Sequence, residues 1–205
     1  MLQRHLNTAG CAAYIALGVI HVQLEQIKVV LEKAGVVFAP GLTSQEFSAA
    51  EARFNFSFPP DLRMFLALCL PMGERFPNWR ELDSPYLVGA LSRPLEGLWF
   101  DAEQNSLWLP SWGPRPANDA AAFEHLRRLV RAAPALIPIQ GHRYMPSSPS
   151  EEGNPILSVH QSDIICYGVN LEDYFKNEYS YYFGRQGYEL HEDPKHIAFW
   201  SSFLE

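Results

Sequence analysis

Three cysteines, Cys11, Cys69 and Cys166, are all that 205 residues contain, and they lie far apart with no CxxC pair. That scarcity excludes a disulfide framework, and buried free thiols in a reducing compartment are the expectation. Charge is sparse too: Asp, Glu, Lys and Arg make up 19% of the chain against 47% hydrophobic residues, which excludes a wholly disordered or fibrous protein. Basic residues are fewer than acidic ones, 16 against 23, and a net charge of −7 argues against a broad nucleic-acid footprint. Long apolar runs are also lacking. Cys11 to Ile20 follows Arg4 and His5 as a leader peptide would, but these ten residues fall short of the roughly 20 that a membrane-spanning helix needs. A cytoplasmic protein with no membrane partner is expected, and whether residues 1–20 belong to the mature chain stays open.

Catalytic signatures are equally thin. No GxSxG, GxxxxGK(S/T) or GxGxxG occurs, and no cysteine sits in an electropositive context. His191 and His196 are five apart with Pro194 between them, whereas a zinc-protease pair needs histidines four apart on one helix face. His142, His160 and Asp163 have the types of a two-histidine, one-carboxylate metal centre, and Ser158 with His142 and Asp163 those of a nucleophile with its base. Roles at strand ends and turns explain the same residues as well. Five tryptophans, four of them between Trp79 and Trp112, suit core packing better than base stacking, because stacking platforms work beside basic grooves. The expectation is therefore a protein without catalysis, cofactor or metal.

The chain reads as helices first, strands later. Ile20, Leu24, Ile27, Val30 and Leu31 recur at helical spacing, with Gly35 as the stop. Thr43 and Glu46 form a capping box, stapled by Leu42 and Phe47, for a helix reaching about Phe54. Pro59-Pro60 opens another helix, carrying Leu62, Phe65, Leu66 and Cys69 and ended by Pro71 and Gly73. Leu95 to Phe100 and Ser106 to Leu109, around the polar Asp101 to Asn105, read as a β-hairpin. Asn118 or Asp119 caps a helix with Phe123, Leu126, Leu129 and Val130 inward and Arg127, Arg128 and Arg131 on its wet side. Leu136 to Gln140, Ile156 to Val159 and Asp163 to Tyr167 read as three strands. Asn170 caps a short helix, and Asp193-Pro194 opens a last one with Ile197, Trp200 and Leu204. This order predicts one α+β domain with a central antiparallel sheet and helices packed around it.

Residues 151–205 hold 3 basic and 10 acidic side chains, so the whole net charge lies in the last quarter. A solvated surface explains that, and so does an electronegative docking face.

Three stretches together resemble the SUKH superfamily of cell-wall synthesis regulators and polymorphic-toxin immunity proteins. The first holds Gly41-Leu42-Thr43, Glu46, Phe54, Phe58-Pro59-Pro60-Asp61-Leu62 and Phe65-Leu66. The second holds Phe76-Pro77-Asn78-Trp79-Arg80, Gly97-Leu98-Trp99-Phe100-Asp101 and Trp112-Gly113-Pro114. The third, the most specific, holds Leu136-Ile137-Pro138-Ile139, Gly141-His142-Arg143-Tyr144, Gly153-Asn154-Pro155, Asp163-Ile164-Ile165, Tyr167-Gly168 and Tyr174-Phe175. Cys69 to Gly73 departs from the Asn-Gly turn common in that family. The resemblance covers residues 41–180, makes 1–40 an N-terminal helical extension and 41–205 the SUKH-like domain, and implies a non-catalytic protein-binding module. In bacterial members the implied role is immunity: a cognate toxin, possibly a nuclease with a basic groove, is bound and blocked. A regulatory scaffold of the cell-wall type, or a metal-dependent hydrolase, are the alternatives, and the oligomeric state is not legible. Arg143, Tyr144, Asp163, Tyr167, Glu172, Asp173 and Glu178, polar groups at strand ends and helix starts of the acidic region, are the expected partner contacts. Charge reversal at Glu172, Asp173 and Glu178 is then expected to slow association and leave stability nearly unchanged.

Overall fold

A computed structural model describes residues 23–204. The chain folds as one α+β domain with a two-stranded and a four-stranded antiparallel sheet. The first helix, α1, covers residues 23–33 of the described chain and buries Leu24, Ile27 and Leu31. Gly35 turns the chain at φ +88° into β1 (Val37–Pro40). Ile20 and Cys11 lie outside the described residues. The described part of the expected extension is no appendage: its apolar stripe enters the same core as Phe47, Phe65 and Phe175.

The capping box is formed as the spacing predicts. Thr43 Oγ1 accepts from the Glu46 amide at 3.2 Å, the Glu46 carboxylate accepts from the Thr43 amide at 2.8 Å, and α2 (Ser44–Phe54) follows. Arg80 reaches the same carboxylate from a distant loop at 2.6 Å. α3 (Pro60–Leu68) begins on Pro60 and passes without a turn into β2 (Cys69–Met72), which pairs with β1.

The expected hairpin at residues 95–109 is a helix instead. α4 (Pro85–Gln104) starts at the Ser84 cap and buries Leu87, Ala90, Pro94, Leu98 and Ala102, a 3.6-residue stripe that Pro94 and Gly97 conceal in the sequence. Pro94 has no N–H to give the Ala90 carbonyl. The Tyr144 hydroxyl donates to that carbonyl at 2.9 Å, so the helix keeps its interior proline without an orphaned acceptor. Gly97 is required by contact: a Cβ there would lie 2.8 Å from Gln161 Cα in the neighbouring sheet turn.

Asn118 caps α5 (Asp119–Ala132) through a 2.8 Å bond from the Ala121 amide. The main sheet follows as a meander: β3 (Leu136–Gln140), β4 (Arg143–Pro146), β5 (Ile156–His160) and β6 (Asp163–Gly168), in spatial order β3-β4-β5-β6. Three of these strands were expected and β4 was not. α6 (Leu171–Glu178) follows its Asn170 cap. Of the expected last helix only the 3-10 turn Trp200–Phe203 forms, although Ile197 and Trp200 are buried as that reading required.

The sheet divides two cores. Ile137, Ile139, Met145 and Ile156 face α1, α2, α3 and α6, while Leu136, Tyr144, Leu157, Val159 and Ile164 face α4, α5 and Trp200. Burial on both faces explains why β3 and β5 read as nearly continuous apolar runs. Cys69 and Cys166 are free and buried, and burial pushes their thiols up to about 12 and about 11.

Candidate protein-binding face

β4 begins at Arg143, whose side chain lies on the sheet face turned toward α6. Only 8% exposed, it donates from Nη1 to Ser158 Oγ on β5 at 2.7 Å and pairs through Nη2 with Glu178 Oε2 on α6 at 3.3 Å. Its guanidinium carbon stands 3.7 Å from the Tyr167 ring centroid, a cation–π arrangement. Arg143 Nη1 also bonds to His142 Nε2. Burial, then the Arg143 charge, holds the His142 imidazole below its ordinary value, so the neutral ring that can accept this bond is the favoured form. Arg75 closes the network at 3.2 Å from Glu178 Oε1. Glu178 therefore lies between two arginines and its charge is spent inside the protein.

Tyr144 and Asp173 are structural as well. Tyr144 is fully buried beneath α4, where it bonds to Ala90 and cannot meet a partner, which corrects the expectation for that residue. Asp173 accepts from Arg185 Nη1 at 3.0 Å and from the Val169 amide at 3.2 Å. Glu172 pairs with Lys176 one turn along α6. Stability would therefore fall on reversing Asp173 and Glu178, contrary to the expectation of an unchanged fold: removing one member of a buried pair leaves the other uncompensated.

Asp163 and part of Tyr167 remain open. Asp163, His160 and Ile165 are exposed on the sheet, and Tyr188 stacks on Tyr167 with centroids 5.0 Å apart. His142 and His160 come near one another, but among the described residues no group of three His, Cys, Asp or Glu side chains is placed to hold a metal ion. Ser158 bonds to Arg143 rather than to a base.

The residues that sequence reasoning missed lie after α6. Residues 188–194 run opposite β6 and enclose with it a groove of about 880 Å³, lined by Ser162 to Cys166 on one side and by Tyr188, Leu190, Glu192 and Asp193 on the other. This wall is pinned at both ends. Asn177 bonds to the Tyr167 and Glu189 carbonyls at 3.0 Å each, and Lys195 Nζ holds Glu151 at 2.8 Å. β6 is positioned from the other side by α4: Asp101 Oδ2 accepts from both the amide and the hydroxyl of Ser162, at 2.9 and 2.5 Å. The surplus of acid in the last quarter was the available signal for this face. Glu192 and Asp193 themselves read as a turn before a helix.

No helix among the described residues is long and apolar enough to cross a membrane. Neither protein-family models, nor curated proteins, nor solved structures yield a match to this chain.

Proposed function

We propose that this protein is a non-catalytic protein-binding module of the SUKH type, an immunity protein that binds and blocks a basic toxin domain. The observation that carries the reading is the chemistry of the exposed face around β6. Tyr188, 43% exposed, stands there with exposed Ile165. Exposed Asp163, Glu189, Glu192 and Asp193 surround them, and residues 186–194 contain no lysine or arginine. Tyrosines supply large contact area with few rotatable bonds and are common binding hot spots, while carboxylates at the rim accelerate encounter with a positive partner. A toxin that handles nucleic acid offers such a positive groove.

Capture of the tagged protein from its native host, with mass spectrometry of stoichiometric partners, tests the reading. A basic domain that co-purifies, and whose toxicity co-expression relieves, is the expected result. Retention of housekeeping proteins without any toxicity to relieve would replace immunity with a scaffold role.

A further inference from the structure

The main sheet ends on β6, and no strand pairs with its outer side among the described residues. Near its C-terminal end the backbone is engaged from outside: the Tyr188 hydroxyl donates to the Cys166 carbonyl and Asn177 to the Tyr167 carbonyl. Upstream, apart from the ladder with β5, no hydrogen bond among the described residues reaches the backbone of Asp163, Ile164 or Ile165. The groove wall there is the consecutive run Ser162 to Cys166. Successive side chains of a strand point to opposite faces, so an unbroken run lining one groove presents the strand's edge rather than either face. An edge of this kind is a template for another strand.

The chemistry of the opening defines what fits. Four residues of β6, Asp163 to Cys166, span about 13 Å at roughly 3.3 Å each, enough for a short extended segment. Asp163, Glu192 and Asp193 line the groove with no lysine or arginine, and Ile165, Leu190 and Leu204 supply apolar contact. A second copy of this chain would set the same three carboxylates against each other, so charge disfavours pairing between two β6 edges.

We infer that the groove along β6 binds an extended segment of a partner protein, with basic side chains alternating with apolar ones, as an added fifth strand of the sheet. This deepens the binding role proposed above and rests on it. Main-chain hydrogen bonds to Ile164, whose N–H and C=O point away from β5, supply the pairing, and the carboxylates select lysine or arginine.

The test is hydrogen–deuterium exchange of the full chain with a synthetic peptide of four Lys-Val repeats, and with a version carrying proline at alternate valines. Protection confined to residues 162–166 is expected. It should be lost with the proline peptide, lost in the triple variant Asp163→Lys, Glu192→Lys, Asp193→Lys, and weakened roughly tenfold by raising salt from 0.05 to 0.5 M. The altered side chains are exposed, and an unchanged melting temperature establishes that the triple variant folds. Protection elsewhere, binding that survives the proline peptide, or no protection at millimolar peptide overturns the groove assignment. Dimerisation of the free protein through β6 overturns it in favour of a second copy. A native partner captured by a protein whose groove takes no peptide leaves the binding role standing. A groove that takes the peptide in a protein that captures no partner does the reverse.

Discussion

The main sheet has two edges built in opposite ways. β3, at one side, has all five residues buried, carries Pro138 in its middle and is packed by α4 and by the Phe76-Pro77 segment. β6, at the other, alternates exposed and buried residues, holds no proline and faces an open acidic groove. Proline and burial are common ways of blunting a strand edge. The open edge is the one at which we propose that a partner docks. Charge follows the same division. Beside Arg143 the Glu178 carboxylate is held by Arg143 and Arg75, whereas along β6 Asp163, Glu192 and Asp193 face outward.

β6 depends most on its junction with α6. A Cβ on Gly168 would lie 2.4 Å from the Tyr174 amide nitrogen, so Gly168→Ala should destabilise by about 3 kcal/mol or more, measured by chemical denaturation. Glu178→Gln should cost a similar or slightly smaller amount, about 3 kcal/mol, because it leaves the buried Arg143 without its carboxylate; a loss under about 1 kcal/mol would show that the network is not structural. Asp101→Ala frees the Ser162 amide and hydroxyl and should cost about 1–3 kcal/mol, with faster amide exchange at the β5–β6 turn.

A smaller effect is expected from acid. His142 has a folded value below its ordinary 6.5, so its stabilisation is full above 6.5 and is lost as pH falls through the lower folded value. Glu46, lowered by the Thr43 amide and then by Arg80, behaves likewise below its ordinary 4.5. The melting temperature should fall in two stages below neutrality, and His142→Gln should remove only the upper stage.

How far the sequence could be read follows from where the physics is local. Thr43 with Glu46, and Asn118 and Asn170 as caps, were legible because a cap depends on residues three apart. α4 was misread because Pro94 and Gly97 speak against a helix locally. Their justification is tertiary: a tyrosine from β4 and a turn from β5–β6 that only the folded chain supplies. β4 escaped notice because its four residues are Arg143-Tyr144-Met145-Pro146, in which the charge and the proline mask a buried strand. Among the proposed contacts, charge and position near a strand end could not separate Glu178, neutralised across 103 residues of chain by Arg75, from Asp163, which is open. The groove itself joins β6 to an irregular segment, and no periodicity announces a surface of that kind.

We propose that the open acidic edge, and not the Arg143 network, meets the partner. The most direct measurement is the association rate of the captured partner with wild-type protein and with the Asp163→Lys, Glu192→Lys, Asp193→Lys variant, at matched melting temperature. A fall of tenfold or more at low salt, shrinking as salt is raised, is the predicted result. Equal rates for the two proteins at every ionic strength would contradict it.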